Sequence, residues 1–194
     1  MRAPFPLALR IGTDIVATNR IASLLQPDIR RLVRLTNRFL VAQELEDLRR
    51  RFPHWDDADR QDRDQLARNK QVAAWIAGRW ASKEAAKKAW DASLLSFRDL
   101  RVGIEPDSGS VHIICDIAGL IQTSENASGH STITSGSSSS SSSSSSSARV
   151  TEQTAQLSIS HDGDYAIATV LATPLHADIS AELARRKAEA EAKV

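Results

Sequence analysis

The hydrophobic positions of this 194-residue chain change their spacing about halfway along. Leu7–Val16 opens as an apolar run that turns β-branched toward its end, and it reads as a strand. Arg20–Leu25 reads as a helical turn or more, stopped near Pro27. Asp28–Leu35 and Val41–Phe52 carry Ile, Leu, Val and Phe at helical spacing. Trp55–Asn69 is charged and poor in apolar residues, so it reads as an exposed loop or loose helix. The clearest helix is Gln71–Trp90, rich in alanine with tryptophans at 75, 80 and 90. Beyond it the pattern shortens to strand-length runs: Leu100–Glu105, Val111–Ile117, Gln156–His161 and Tyr165–Ala172. Pro106–Gly109 supplies a turn for the first pair, and Asp162-Gly163 a tight hairpin turn for the second. Helices early and an antiparallel sheet mostly late predict an α+β fold.

Between the two strand pairs lies Thr123–Ser147, which ends in an unbroken serine run from Ser137 to Ser147. Such a tract has nothing to bury and is expected to be disordered. It reads as an insertion at about 123–150 within one domain spanning 1–175, because neither half alone has both the helices and the strands of a closed core. Asp178–Lys193 is an Ala/Glu/Arg/Lys helix with few apolar positions, so residues 176–194 are expected to form a solvent-exposed tail, marginal alone.

Charge and cysteine content narrow the function classes. Lys and Arg number 25 against 24 Asp and Glu. A net charge of +1 gives no global attraction to nucleic acid or to an anionic membrane. Locally the balance is different: residues 1–51 hold ten arginines and five acids. The single cysteine, Cys115, allows no internal disulfide, which points to a reducing compartment. No apolar run reaches membrane-spanning length. A soluble intracellular protein is expected. Met1–Ile11 has two arginines and no acid, as a mitochondrial presequence would, although Pro4 and Pro6 interrupt an amphipathic helix there.

Three segments carry candidate chemistry. In Ile11-Gly12-Thr13-Asp14-Ile15-Val16 an acid sits inside an apolar strand. A buried carboxylate needs a partner such as a metal or a base; alternatively Asp14 caps the next helix. In Gly78-Arg79-Trp80-Ala81-Ser82-Lys83-Glu84-Ala85-Ala86-Lys87-Lys88, residues Trp80, Glu84 and Lys88 fall on one helix face. They form either a plain amphipathic seam with an ion pair, or a site in which Glu84 faces a metal while Lys88 and Lys83 meet phosphate. In Leu157-Ser158-Ile159-Ser160-His161-Asp162-Gly163, a histidine ends a strand beside a turn. Ser160, His161 and Asp162 are adjacent, so they alternate across a strand and cannot form a hydrolase triad among themselves.

Taken in order, these segments resemble the holo-acyl-carrier-protein synthase family of phosphopantetheinyl transferases. The resemblance rests on Gly-x-Asp-Ile near the start, Trp-x-x-Lys-Glu-Ala-x-x-Lys-Ala on the central helix and Ser-x-Ser-His-Asp near the end. It is supported by Arg38-Phe39-Leu40 with Glu44-Leu45, and by Phe97-Arg98-Asp99-Leu100 with Val102. It covers about residues 9–173 without the insertion. The serine tract, the short N-terminus and the long tail look most like a fungal, mitochondrial-type member, with a cytoplasmic location as the alternative.

The resemblance implies transfer of the 4′-phosphopantetheine moiety of coenzyme A to a serine of an acyl carrier protein, with Mg²⁺ as cofactor and 3′,5′-ADP released. It implies Asp14 and Glu84 as metal ligands and catalytic groups, and Lys88 as an active-site lysine. Arg79 and Lys83 would meet the coenzyme phosphates, His161 would lie near the coenzyme, and Arg20 would receive the carrier. A homotrimer with sites between subunits is implied as well. Carrier proteins are acidic, and an arginine-rich Arg20–Arg38 surface suits them. The chain departs from the family pattern at Trp90-Asp91-Ala92-Ser93, where a Gly-Thr-Gly loop is usual, and at Ala17, where an acid is common. A non-catalytic coenzyme A- or carrier-binding module of the same fold is the rival reading.

Overall fold

A computed structural model describes residues 7–25, 29–56, 65–118 and 149–193. The expected insertion falls almost wholly outside the described residues. Five strands form one antiparallel sheet: β1 (Arg10–Ala17), β2 (Leu100–Ile104), β3 (Val111–Asp116), β4 (Glu152–Asp162) and β5 (Tyr165–Ala172). Their order across the sheet is β1-β5-β4-β3-β2. The helices are α1 (Thr18–Ala22), α2 (Arg30–Phe39), α3 (Ala42–Arg51), α4 (Gln65–Ala89) and α5 (Ala177–Glu191), with a 3₁₀ turn at Phe97–Asp99. The α+β fold expected from the sequence is present. The early strand joins the late ones as an edge: Ile11 pairs with Leu171, and Ile15 with Ile167.

The two hairpins follow their turn chemistry. Gly109 at φ +68° ends the link between β2 and β3, and Gly163 at φ +52° turns β4 into β5. The long helix begins at Gln65, six residues before its expected start, so part of the stretch read as a loop or loose helix belongs to α4.

Helix α4 lies across one face of the sheet, and small side chains set how closely. Ala73, Ala77, Ala81, Ala85 and Ala89 are buried along it. Gly12 of β1 meets it so tightly that a Cβ there would stand 2.0 Å from the carbonyl oxygen of Ala85 and 2.6 Å from the amide nitrogen of Ala89. Further back, a Cβ on Gly78 would stand 3.1 Å from His161 Nε2 on β4. The helix therefore runs diagonally, its middle over β4 and its C-terminal end over β1. On its other side, Trp80 packs on Phe39 and Phe97, with ring centroids 5.1 and 4.7 Å away.

The tail differs from expectation. Two apolar residues of α5, Ile179 and Leu183, are buried in the core. Asp178 accepts a hydrogen bond from the Val150 amide at 3.0 Å, and Arg186 pairs with Asp99 at 2.9 Å. The helix is docked rather than free, because one apolar residue per turn on one face is enough to seat it.

Candidate active site

Alternation along β1 turns Gly12, Asp14 and Val16 toward α4 and leaves Ile11, Thr13 and Ile15 on the outer face. Asp14 is thus aimed at the helix by the same strand geometry that wedges Gly12 beneath it. Lys88 Nζ donates to Asp14 Oδ1 at 2.8 Å and to the Thr13 carbonyl at 3.0 Å. Glu84 lies one turn before Lys88, half-buried, and its carboxylate makes no hydrogen bond or ion pair among the described residues. The structure brings Asp14 to the end of α4 that carries Glu84 and Lys88. Carboxylates such as those of Asp14 and Glu84 are hard oxygen donors of the kind Mg²⁺ takes, and that ion uses few protein ligands and keeps waters and phosphate oxygens. No group of three or more His, Cys, Asp or Glu side chains that could hold a metal ion occurs among the described residues.

Lys83 requires a correction. Its ammonium is fully buried and stands 2.6 Å from Glu44 Oε2. It also donates to the carbonyls of Phe39 at 2.6 Å and Phe97 at 3.2 Å. These acceptors occupy all three ammonium protons, so none is left for a coenzyme phosphate. Burial pulls the Lys83 pKa below the usual lysine value, and the facing Glu44 carboxylate opposes that pull. Glu44 accepts in addition from the amides of Val41 and Val102, at 3.1 and 3.0 Å, and so ties α3, α4 and β2 together. Lys83 is an internal brace.

His161 and Trp75 meet at a second place, and Arg79 reaches it only through Trp75. His161 Nε2 donates to the Ala74 carbonyl at 3.1 Å. The ring lines a groove of about 480 Å³ with Arg51, Phe52, Gln71 and Trp75. The Arg79 guanidinium stacks on Trp75, 4.4 Å from the ring centroid. Only 8% of Arg79 is exposed, and its Nε has no acceptor among the described residues. Desolvation lowers its pKa against the pull of Glu44 and Asp47. Sequence reasoning missed Trp75, Gln71 and Arg51 here. Trp75, four residues before Arg79 on a helix, was the available signal.

Arg20 is exposed on α1, at the rim of a groove of about 330 Å³ lined by Val16, Ile21, Leu24, Leu35 and Trp80. Val16 follows Asp14 on the same face of β1, so this groove adjoins the carboxylate site. The segment Trp90–Ser93 forms no glycine loop. Trp90 is buried and donates to the Thr173 carbonyl at 3.0 Å. Asp91 accepts from the amide and hydroxyl of Ser93, which lowers its pKa.

The chain is similar to several known proteins. Residues 10–170 match the model of the 4′-phosphopantetheinyl transferase superfamily. The chain is 38% identical over 178 residues to 4′-phosphopantetheinyl transferase B, mitochondrial, of Aspergillus fumigatus, covering 87% of this chain and 96% of that protein. Among solved structures, holo-[acyl-carrier-protein] synthase of Helicobacter pylori, in complex with coenzyme A, matches with TM-score 0.46 and 24% identity, over 82% of this chain and 96% of the other. Holo-ACP-synthase of Plasmodium yoelii matches with TM-score 0.48 and 20% identity, over 86% and 95%. The chain is an enzyme of the 4′-phosphopantetheinyl transferase superfamily.

Proposed function

We propose that this enzyme transfers the 4′-phosphopantetheine moiety of coenzyme A to a serine of an apo acyl carrier protein, releasing 3′,5′-ADP in a Mg²⁺-dependent reaction. The observation that carries the proposal is the Lys88–Asp14 contact at 2.8 Å, made on the turn of α4 that follows Glu84. The serine oxygen forms a bond to the phosphorus that bears pantetheine. The bond from that phosphorus to the bridging oxygen breaks, its electron pair leaves with 3′,5′-ADP, and the serine proton passes to a base. Asp14 and Glu84 would hold Mg²⁺, which when bound neutralises charge on the diphosphate. Lys88 uses two donors on Asp14 and Thr13, which leaves one N–H for a phosphate oxygen. Arg20 and the apolar groove beside Val16 offer a place for an acidic carrier with an apolar contact.

Arg79 and His161 are assigned to the coenzyme, and their position bears on assembly. Gly78, beside His161, lies ten residues before Lys88 on α4, about 15 Å along the helix. One diphosphate cannot touch both ends of that span within one chain. Meanwhile the outer sheet face exposes Ile11, Ile15, Tyr165, Ile167 and Leu171, an apolar patch on paired strands. A further copy of the chain covering this face would bring a second set of site residues nearby, in keeping with a homotrimer. The mitochondrial relative favours a mitochondrial location for this chain over a cytoplasmic one.

The test is to mix the protein with Mg²⁺, coenzyme A and several apo carriers, and to weigh the carriers. A gain of the phosphopantetheine mass is expected. Asp14→Ala and Glu84→Ala should each lower the rate about 100-fold or more while the thermal midpoint is kept. Near-normal rates in either variant would remove its assigned role. Light scattering should give three copies per particle, and a monomer that transfers at full rate would exclude the shared site.

A further inference from the structure

A cavity of about 730 Å³ lies at the far edge of the sheet from Asp14, between the start of α3, the Phe97–Asp99 turn, the β2 and β3 ends, and α5. Its charged lining is Arg98, Arg101, Arg186, Asp99 and Asp116. Four strand spacings separate β1 from β2, about 19 Å in all, so this is not the carboxylate site. Arg186 belongs to α5, which lies beyond the residues that match the family. The cavity is therefore walled by the matched domain on all sides but one, where α5 contributes Arg186.

The carboxylates facing the cavity are already engaged. Asp99 accepts from Arg186 at 2.9 Å through one oxygen, and from the Ser96 amide and hydroxyl at 2.7 and 2.8 Å through the other. Asp116 accepts from the Ala118 amide at 2.9 Å. The guanidinium groups are not satisfied in return. Arg186 Nε and Arg101 Nε are both buried without a hydrogen-bond acceptor among the described residues. Arg101 reaches Asp116 only at 3.6 Å and spends another nitrogen on Glu152 at 3.2 Å. The Arg98 guanidinium is exposed and has no acceptor among the described residues. Each guanidinium has five N–H donors and no acceptor, so donors exceed acceptors around one concave space. Leaving a buried donor unpaired costs about 1–3 kcal/mol, and a multivalent oxyanion is the group that would satisfy several at once.

We infer that this cavity binds the phosphate group of a small phosphorylated molecule, at a site separate from transfer and independent of the carrier reading. Its volume exceeds that of a phosphate alone and falls within the range of small-molecule sites. Binding would lock α5 to the body through Arg186.

The test uses the full chain labelled with ¹⁵N and follows the Nε–H resonances of Arg101 and Arg186. Inorganic phosphate and glycerol 3-phosphate are titrated separately, with chloride matched for ionic strength. Both resonances should shift with one common affinity in either phosphate series and stay fixed in chloride. Tighter binding of the ester would support a phosphorylated molecule as the ligand, and equal binding would overturn that assignment in favour of phosphate itself. Arg98→Glu should weaken binding about tenfold, the loss of one charge-assisted hydrogen bond, without changing the transfer rate. Because Arg98 is exposed and unpaired, this variant should fold normally. Resonances that ignore phosphate, that move equally with chloride, or that respond unchanged in Arg98→Glu would each overturn the inference.

Discussion

Replacing Gly12 by alanine should damage the site without touching any reacting group. The added Cβ would stand 2.0 Å from the Ala85 carbonyl oxygen and 2.6 Å from the Ala89 amide nitrogen. Both obstacles are backbone atoms of one helix, so no side-chain rotation relieves the contact. Restoring an ordinary separation of about 3.5 Å requires β1 and α4 to part by about 1.5 Å. Overpacking of this kind costs about 1–3 kcal/mol, and with backbone on the opposing side the upper end is expected. The same parting moves Asp14 away from Glu84 and Lys88, and a misplacement of about 1 Å can cost about 100-fold in rate. The assay pairs urea unfolding with transfer kinetics at saturating coenzyme. Gly109→Ala is the control: its Cβ meets nothing within 4 Å and only its φ of +68° is unfavourable. That variant should lose stability and keep its rate per folded molecule. If Gly12→Ala folds and transfers like the parent, the close strand–helix contact does not position the carboxylates, and the reasoning fails.

Further outcomes follow from the interior. Lys83→Ala should destabilise by about 3–5 kcal/mol, because it strands the buried Glu44 carboxylate; Lys83→Met with Glu44→Gln should recover most of that, with the KM for coenzyme A unchanged in the folded fraction. A rise in KM without loss of stability would return Lys83 to the coenzyme. Burial pushes the Cys115 thiol up from 9.0 to about 12. Between those values the folded protein holds a proton that the unfolded chain has lost, so stability must fall as pH rises through that window, by about 1.4 kcal/mol per unit. Urea midpoints measured from pH 8 to 10.5 should show this decline, and Cys115→Ala should flatten it; equal slopes in both proteins would contradict the assignment.

The placement of the candidate residues was legible where a strand period and a helix period each repeat cleanly. Asp14 in an apolar strand, and Glu84 four residues before Lys88, are placed by spacing alone, and Lys88 does meet Asp14. Lys83 was misread because α4 is covered on both sides. The sheet takes its alanines, while α3 and the aromatic residues Phe39 and Phe97 take the opposite flank. A helix enclosed in this way has no solvent face to which Arg79, Lys83 and Lys87 can be assigned by periodicity. Arg79 stacks on Trp75, Lys83 goes to Glu44, and Lys87 sits 4.8 Å from the Phe97 ring centroid. Only the position of Glu44, 39 residues earlier in the chain, separates a brace from a phosphate ligand.

The tail illustrates the opposite limit. Its composition is that of a solvated helix, and most of its residues are exposed. Ile179 and Leu183 are its buried apolar residues, with Glu182 buried beside them, and a four-residue spacing on so charged a helix carries little weight before a receiving surface is known. What decides docking lies elsewhere in the chain: the Val150 amide that Asp178 caps, and the Asp99 carboxylate held by Ser96 that Arg186 meets. Those two contacts join the tail to the residues leading into β4 and to the turn that leads into β2. Arg186 and its partner Asp99 both act electrostatically on Cys115, so removing α5 should expose that thiol, fully buried in the intact chain. It should also make the thiol reactive toward alkylating reagents under native conditions. A truncated chain whose Cys115 stays protected would show that the helix is seated on the domain without closing it.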